Sequence, residues 1–451
     1  MTNDTSVAKG YKQTEIGLLP DDWDIQFSTD VINYLGGYGF SSKLSSKDGV
    51  KWLKIANVGL NEIKWDADSY LPERLLNSYK RFTLSSGDVV MALTRPLLGD
   101  RLKVARLQQK DLPALLNQRV AKLVAKNGNS LDYIYYIVQR AEFIAQMNLA
   151  MAGTDPPNIG TKALANILIA VPKPKEQLTI ANALLDVDAL IVALEALVSK
   201  KSEIRRAAMQ QLLTGRRRLA EFATHSEGGL KGKNKGLKQS DLGLIPEDWS
   251  CLPLGDFLSF KNGLNKDKEY FGYGTPIVNY MDVYGSGALQ GSDIKGKVLV
   301  DSTEQKNYEA KKGDIFFTRT SETTDEIGLS SVLMDDIEGA VFSGFVLRAR
   351  QKVSTLTNEF MRHCFRSEQV RHQIQSSASY TTRALTNGKS LSKVMIAFPS
   401  KAEQAAIANI LSDMDDEIQN IEVRLSKTRQ IKKGMMQELL TGKTRLPLKK
   451  D

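Results

Sequence analysis

The sequence predicts an α+β protein with two tandem mixed α/β domains, each followed by a long coiled-coil helix, the two halves forming an internal repeat. The segment 10–23, GYKQTEIGLLPDDW, returns at 236–249 as GLKQSDLGLIPEDW. The segment 176–219 returns without gaps at 403–446, with 21 of 44 aligned positions identical. Between these repeats lie β-rich runs bounded by glycine. Shared ends with divergent middles favour one scaffold that carries two different surfaces.

The repeat also sets the expected domain boundaries. A chain of 451 residues has room for two to four domains. We expect domain 1 at 10–172, helix 1 at 173–215, a polar Gly- and Lys-rich linker at 216–235, domain 2 at 236–398 and helix 2 at 399–442. The period is too long for a solenoid repeat, so the chain contains two copies of one domain-plus-helix unit.

Apolar residues in both helices step 4, 3, 4, 3, 4, which is the seam of a coiled coil. The predicted seam consists of Ile180, Leu184, Val187, Ile191, Leu194 and Val198 in the first helix, and Ile407, Leu411, Met414, Ile418, Ile421 and Leu425 in the second. Both series break at matched polar positions, Lys201 and Arg205 in one copy and Thr428 and Lys432 in the other. We expect two helices of about 57 Å that pack on each other.

Local signals complete the helix prediction. Ser400 and Glu403 have the spacing of a capping box at the start of the second helix. Pro174 suits the first turn of the other helix. Gly215 and Gly442 are expected to end the two helices.

The middle segments predict mixed α/β structure. Strands are expected in the β-branched and aromatic runs VKWLKIANV, SGDVVMALT, GTPIVNYMDVY and KGDIFFTRT. Helices are expected in LDYIYYIVQRAEFIAQMN and LTNEFMRHCFRSEQVRHQI.

Composition narrows the classes of function. Two cysteines cannot form a disulfide framework, and three histidines are too few for most metal sites. No apolar run reaches 18 residues, so we expect no membrane contact and a cytoplasmic location. The net charge of +9 suits a polyanionic partner without requiring one.

Three short motifs resemble catalytic or phosphate-binding motifs but lack residues that those motifs require. Asp155-Pro156-Pro157-Asn158 lacks the aromatic ring that ends the related methyltransferase motif, and a proline-rich turn explains it better. Gly388-Lys389-Ser390 lacks the first glycine of a phosphate loop. Gly36-Gly37-Tyr38-Gly39 predicts a flexible turn. We therefore expect no catalytic site in this chain.

Basic residues in loops are the candidate DNA contacts, because Arg and Lys beside polar or aromatic residues suit phosphate and base-edge contacts. The candidates are Lys43, Arg95, Arg101, Lys103 and Lys162 in the first domain, and Lys261, Lys266, Arg319, Thr381, Arg383 and Lys389 in the second. Arg319 and Arg383 are the strongest, since both lie among small hydroxyl residues. Each of these residues could instead be an ordinary solvated surface residue.

The chain resembles the specificity subunits of type I restriction–modification enzymes. The resemblance rests on the repeated KQTEIGLLPDDW and KQSDLGLIPEDW, on PIVNYMDVYGSG, on LSKVMIAFPSKAEQAAIANIL, and on the helix ends QQLLTGRRRL and QELLTGKTRL. It covers most of the chain, from about Gly10 to Leu446.

The resemblance implies a non-catalytic subunit in which two target-recognition domains each read half of a bipartite double-stranded DNA target. It implies an antiparallel helix pair between them, related by a pseudo-two-fold, on which two methyltransferase subunits dock. Motor-nuclease (restriction) subunits would join the full complex. No cofactor is expected on this chain, whereas S-adenosylmethionine, ATP and Mg would be bound by the partner subunits. Thr154 aligns with Thr381, and Lys162 aligns with Lys389. Between these two aligned positions the copies differ, because the first copy has DPPN where the second has TRAL. Contacts are therefore not transferable between halves.

Two other classes remain open on the residues alone. A coiled-coil assembly scaffold without DNA contact would also explain the helices. A self-sufficient methyltransferase would have to bind S-adenosylmethionine without a recognisable motif.

Overall fold

The protein, seen here as a computed structural model, folds into two compact units. The structure describes residues 9–65, 70–153, 155–285, 287–380 and 383–447. The first unit comprises residues 1–195 and 423–451, and the second comprises residues 196–422. Each unit therefore contains one domain together with the beginning of one long helix and the end of the other.

The first unit is a small mixed α/β domain. Its strands are β1 (Tyr11–Thr14), β2 (Gly17–Pro20), β3 (Asp24–Phe27), β4 (Ile32–Gly36), β5 (Val50–Leu53), β6 (Tyr70–Leu71), β7 (Val89–Ala92), β8 (Leu97–Leu98), β9 (Arg101–Leu102), β10 (Val104–Arg106), β11 (Ala114–Leu116), β12 (Val120–Ala125) and β13 (Leu168–Val171). Its helices are α1 (Ser28–Val31), α2 (Leu75–Ser78), α3 (Leu131–Ile137), α4 (Ala141–Met151) and α5 (Thr161–Leu164), followed by α6 (Pro174–Leu212), which continues into the second unit.

The second unit repeats this plan. After α7 (Ala220–Ala223) come β14 (Leu237–Ser240), β15 (Gly243–Pro246), β16 (Ser250–Pro253), β17 (Leu258–Asn262), β18 (Phe271–Val278), β19 (Ala288–Leu289), β20 (Lys297–Val298), β21 (Ile315–Thr318), β22 (Thr320–Ser321), β23 (Ser330–Leu333), β24 (Val341–Phe342), β25 (Val346–Gln351), β26 (Ser379–Tyr380), β27 (Ala384–Leu385) and β28 (Met395–Phe398). The helices are α8 (Leu254–Phe257), α9 (Tyr280–Gly285), α10 (Ser302–Asn307), α11 (Asn358–Cys364), α12 (Glu368–Ser376), α13 (Gly388–Leu391) and α14 (Lys401–Leu439), which continues into the first unit.

A four-stranded antiparallel arrangement is common to both units. Its order is β10-β7-β12-β4 in the first unit and β23-β21-β25-β17 in the second, where β19 adds a parallel edge strand. The inner strands β7 and β21 are buried at every position, as a strand covered on both faces should be. The same sheet therefore supports the loops of both domains.

Three local predictions need correction. The run GTPIVNYMDVY is a strand only as far as Val278, and its remainder forms α9, whose first turn is closed by Asp282 accepting from the Asn279 N–H at 2.7 Å. Each of the two runs predicted to be helical contains two helices, α3 and α4 in the first and α11 and α12 in the second. The polar linker is partly ordered, with α7 and a bridge between Thr224 and Asn234.

Each hydrophobic core draws on the ends of both long helices. In the first unit, Trp23 and the α3 tyrosines share a core with Leu184 from the start of α6 and Leu440 from just beyond α14. In the second, the equivalent core around Trp249 is completed by residues from the end of α6 and the start of α14, including Met209, Leu212, Ile407 and Leu411. Neither core is complete with residues of a single repeat copy.

A carboxylate–arginine cluster closes each unit at this point. In the first unit, Arg445 binds Asp22 at 2.9 Å and Glu176 at 2.5 Å. In the second, Arg218 binds Asp248 at 2.8 Å and Glu403 at 2.5 Å. These residues occupy equivalent positions, so each cluster pairs the arginine beyond one helix with the carboxylates of the other copy.

The predicted capping box at Ser400 forms only in part. The Glu403 N–H lies 3.5 Å from the Ser400 hydroxyl, but the Glu403 carboxylate is bound by Arg218 rather than by the backbone of Ser400. The Arg218 guanidinium carries a full positive charge and donates to both oxygens of Glu403, whereas the backbone of Ser400 would offer a single uncharged donor.

The predicted seam residues of α6 and α14 are all buried or half-buried. Where the apolar series breaks, polar residues pair across the helices. Lys432 binds Asp188 at 2.6 Å in the first unit, and Arg205 binds Asp415 in the second. Because Asp188 and Asp415 are equivalent, as are Arg205 and Lys432, the same antiparallel contact occurs in both units.

Arg218→Ala should destabilise the second unit strongly. It leaves the Glu403 carboxylate, which is 2% exposed, without its cation, and loss of one partner of a buried pair costs about 3–5 kcal/mol. Arg445→Ala is the matched control and should cost less, because the Arg445 side chain is 39% exposed and Glu176 keeps the Trp23 indole N–H as a donor at 3.2 Å. Amide hydrogen exchange, read separately over each core, measures both. Equal effects would contradict this assignment.

Candidate nucleic-acid interface

Three loops meet at one edge of the common sheet in each unit, and we call this the loop edge. In the first unit it consists of residues 93–103, 117–119 and 155–159. In the second it consists of residues 319–328, 343–345 and 383–386. The backbone bonds that join the loops are the same. Leu93 N–H donates to Arg119 O at 2.9 Å, and Arg319 N–H donates to Phe345 O at 3.2 Å.

A glycine in each unit permits the loops to come this close. A β-carbon on Gly37 would collide with the carbonyl oxygens of Leu116 and Asn117. One on Gly263 would collide with the carbonyl oxygen of Ser343. Gly37 belongs to the GGYG turn, so the structure shows a close backbone approach at a position where the sequence indicated only flexibility.

The loop edge of the first unit concentrates positive charge. Arg95, Arg101 and Arg119 are exposed, and Lys103 is half-buried. Burial and, after it, the nearby Arg95 charge lower the pKa of Lys103 from its usual value. Within the part of the chain that the structure describes, none of these four side chains forms an ion pair with a carboxylate. Such a cluster would be stabilised by an anion such as a phosphate.

Sequence reasoning identified three of these four cations and missed Arg119. The structure places Arg119 in the edge by a hydrogen bond from its guanidinium to the Thr94 hydroxyl at 3.2 Å. Thr94 in turn donates to the Asn158 side-chain oxygen at 2.8 Å. The proline-rich turn thus has a role in the edge as a support for Thr94. Nothing in the sequence around Arg119 signals this role.

The second unit has an open depression of about 300 Å³ at its loop edge. It is lined by Tyr280, Thr320, Ser321, Glu322, Glu326, Phe345 and Arg383. Arg383 is 60% exposed and lies 3.9 Å from Glu322, too far for a strong ion pair. Arg319 is half-buried and its guanidinium points to the Gly344 carbonyl oxygen at 3.5 Å. The two strongest candidates from sequence are therefore both in this edge.

The remaining candidates lie elsewhere. Lys43 is exposed in the 3₁₀ turn Ser42–Leu44, and Lys162 and Lys389 are exposed on the short helices α5 and α13. Lys261 is exposed on β17, with its ammonium 5.7 Å from the Tyr308 ring centre.

Lys266 is engaged within the protein, because its ammonium donates to Glu304 at 2.6 Å and to Leu299 O at 2.8 Å. The predicted contact Thr381 lies outside the described residues.

The equivalent loops differ in charge. Residues 95–103, RPLLGDRLK, carry three cations and one carboxylate. Residues 321–329, SETTDEIGL, carry three carboxylates and no cation. Each loop follows an inner strand, and an equivalent backbone hydrogen bond ties its last residue to the end of that strand. The bond joins Ala92 N–H to Lys103 O at 3.0 Å in the first unit and Thr318 N–H to Leu329 O at 2.8 Å in the second. One scaffold therefore presents two different electrostatic surfaces.

Among the described residues, no group of three or more His, Cys, Asp and Glu side chains could hold a metal ion. Their helices include none that is both long and apolar enough to cross a membrane.

Comparison with known proteins shows the family. The model of the type I restriction modification DNA specificity domain matches residues 20–206 and again residues 246–428. The MjaVIII specificity subunit, from a type I restriction enzyme of Methanocaldococcus jannaschii, is 37% identical over 47% of this chain. The aligned part is about half of that relative's length. The putative MjaX specificity subunit of the same organism is 24% identical, over 97% of both chains.

Solved structures show the same fold. The S subunit of a type I restriction–modification system from M. genitalium matches with a TM-score of 0.54 and 15% identity, over 92% of this chain and 96% of the other. A chain from a structural study of type I R-M complex assembly and conformational transition matches with a TM-score of 0.53 and 16% identity, over 94% and 99%.

Arg95→Gln and Arg101→Gln together should weaken binding of any DNA duplex and make it less sensitive to salt. Each lost phosphate contact should reduce the slope of log affinity against log salt by about one. Fluorescence anisotropy over a salt series measures both effects. Arg74→Gln is the control, since Arg74 is exposed in the same unit but lies outside the loop edge. An unchanged slope in the double variant would remove these two residues from the interface.

Proposed function

The chain belongs to the family of type I restriction–modification DNA specificity domains, and we propose that it is a non-catalytic subunit that reads a bipartite DNA target. Each unit would read one half of the target through its loop edge. This proposal rests on the two equivalent loops, 95–103 and 321–329. Equivalent backbone hydrogen bonds join each loop to the equivalent sheet of its unit, but the two loops carry opposite net charge. Two equivalent scaffolds with different loops suit two different half-sites.

Chemistry at the first loop edge supports DNA contact. Among the described residues, its four cations have no carboxylate partner, and Arg and Lys side chains bind phosphate oxygens and the acceptor edge of guanine. Arg95 has a positive φ of 46°, which its anchoring backbone bond to the Pro157 carbonyl at 2.7 Å holds in place. The backbone that carries this exposed side chain is therefore fixed rather than freely mobile.

The helices are the proposed docking site for two methyltransferase subunits. Ile204 on α6 and Ile431 on α14 occupy equivalent positions and are 45% and 49% exposed. Each lies one residue before a position of the seam and keeps nearly half of its surface exposed, so the helix pair leaves much of this apolar surface uncovered. A repeated exposed isoleucine suits two copies of one partner, each bound in the same way.

The complete assembly would also include restriction (motor-nuclease) subunits and would act in the cytoplasm. S-adenosylmethionine, ATP and Mg would be bound by the partner subunits, and the present chain would supply sequence recognition alone. The isolated chain would accordingly neither methylate nor cut DNA.

Replacement of residues 24–168 by the matching segment of another specificity subunit should change only one half of the recognised sequence. The replaced segment leaves Asp22, Trp23 and Glu176 in place, so the contacts that close the first unit are kept. Mapping of methylated sites in a strain that carries the hybrid with its methyltransferase measures the outcome. The reciprocal replacement of residues 250–395 is the matched control and should change the other half. A hybrid that changes both halves would contradict the assignment of one half-site to each unit.

Ile204→Glu with Ile431→Glu should abolish methyltransferase binding while leaving DNA binding by the chain itself intact. A buried carboxylate without a partner would cost several kcal/mol at each site. Each single variant should bind one methyltransferase copy instead of two, which analytical ultracentrifugation can count. Arg206→Glu, exposed on the same helix, is the control. Full binding of two copies by the double variant would place docking elsewhere.

A further inference from the structure

The acidic loop 321–329 is an unexpected feature of a DNA-facing surface. Phosphates repel carboxylates, so each acidic side chain at the loop edge weakens general attraction to DNA. The equivalent loop of the first unit carries cations instead. A carboxylate in this place requires a compensating contact, and the surroundings of Glu326 indicate which one.

The Glu326 carboxylate is held at both oxygens. Ser321 Oγ donates to one oxygen at 2.9 Å, and the Tyr284 hydroxyl donates to the other at 3.1 Å. The backbone is fixed as well, because the buried Thr318 hydroxyl donates to the Glu326 carbonyl at 2.8 Å and accepts from the Leu329 N–H at 2.9 Å. The hydrogen bond to Glu326 also raises the pKa of the Tyr284 hydroxyl. The carboxylate is thus a fixed acceptor with lone pairs to spare.

Glu322 gives the contrast within the same loop. Its side chain is 85% exposed, and its nearest cation, Arg383, is 3.9 Å away. Glu326 is half-buried and bound twice. Of the three carboxylates of the loop, Glu326 is therefore positioned, whereas Glu322 and Asp325 are exposed to solvent.

The depression around Glu326 suits a flat ligand edge. Phe345 lines it and is 63% exposed, and Tyr280 lines it with its ring stacked on that of Tyr284, 6.2 Å apart and inclined by 23°. Arg383 lies on its rim and could neutralise a nearby phosphate. Aromatic walls, a peripheral cation and a fixed acceptor provide the chemistry that recognises a base edge carrying an amino group.

We infer that Glu326 accepts a hydrogen bond from the exocyclic amino group of a cytosine in the major groove of the half-site read by the second unit. A carboxylate accepts from the cytosine amino group, whereas guanine and thymine present acceptors at that place and would be repelled. Adenine also carries an amino group, but its N7 acceptor lies beside that group and would face the second carboxylate oxygen. Ser321 and Tyr284 are positioning residues that act through Glu326. This inference rests on the proposed function, since it requires that the second unit reads DNA.

The test compares Glu326→Gln with Glu322→Gln in the full-length chain assembled with its methyltransferase. Both substitutions remove one negative charge from the same loop and keep the side-chain shape. Binding sites are selected from a library of randomised DNA duplexes and sequenced, and thermal unfolding verifies the fold of each variant. Ser321→Ala is a third variant that removes a positioning bond and leaves the carboxylate.

Glu326→Gln should reduce the preference for cytosine at one position by about 10-fold or more, and should strengthen binding to unrelated sequences. Ser321→Ala should relax the same position by a smaller factor. Glu322→Gln should strengthen unrelated binding alone and leave the selected sequence unchanged. Opposite changes in specific and general binding distinguish base reading from simple repulsion.

Two results would overturn the inference, and they differ. If the unaltered complex selects a bipartite sequence and Glu326→Gln leaves every position unchanged, Glu326 does not read a base and the proposed function stands. If the unaltered complex selects no sequence at all, the proposed function fails and the inference fails with it.

Discussion

The exchange of helix ends is the constraint on which the rest of the structure depends. Each unit is closed by an arginine that follows one long helix and by carboxylates that belong to the other repeat copy. Arg218 holds Glu403 and Asp248, and Arg445 holds Glu176 and Asp22. Glu403 and Glu176, the carboxylates at the helix starts, are almost fully buried, so each depends on protein donors more than on water. The repeated sequence is conserved between the copies where these contacts occur, because both copies must satisfy the same geometry.

The loop edges are free of that constraint. Their first loops follow the buried inner strands β7 and β21, which pair with equivalent strands in the two units. Backbone hydrogen bonds join the loops to the sheet at equivalent positions. Side chains beyond those bonds can change without disturbing the core. This separation explains how one repeat carries Arg95, Arg101 and Lys103 while the other carries Glu322 and Glu326 in the same loop.

Much of the fold follows from the sequence, and the reason is the repeat. Two aligned copies made the heptad series and the stops at Gly215 and Gly442 visible, and both glycines have the positive φ that a helix stop requires. The family was identified from the same repeats and is confirmed by the two matched segments. Helix α9 was missed because Asn279 and Asp282 close its first turn within a run that otherwise has the composition of a strand.

The candidate site was harder to predict, because loop residues acquire their neighbours only in three dimensions. Arg95 and Lys103 were predicted from the sequence as separate DNA contacts. Their charges repel each other because a backbone hydrogen bond from Ala92 to Lys103, eleven residues later, folds the loop back. Arg119 and Glu326 carry no local signal, since a hydrogen bond to Thr94 in one case, and to Ser321 and Tyr284 in the other, gives them their positions. Lys266 is the opposite case, because the sequence predicted a DNA contact and the structure shows an ion pair with Glu304 within the protein.

The exchanged helix ends also fix the order in which the chain can mature on the ribosome. All residues of the second unit lie between 196 and 422, so they are available as soon as that stretch has emerged. The first unit must wait for Leu439 and Leu440, which complete its core, although residues 1–195 were made long before. At roughly 5–20 residues per second this delay is on the order of 10–50 s. The domain that is translated first is therefore the last to close, and a nascent chain that stops early leaves its apolar surface exposed to chaperones and proteases.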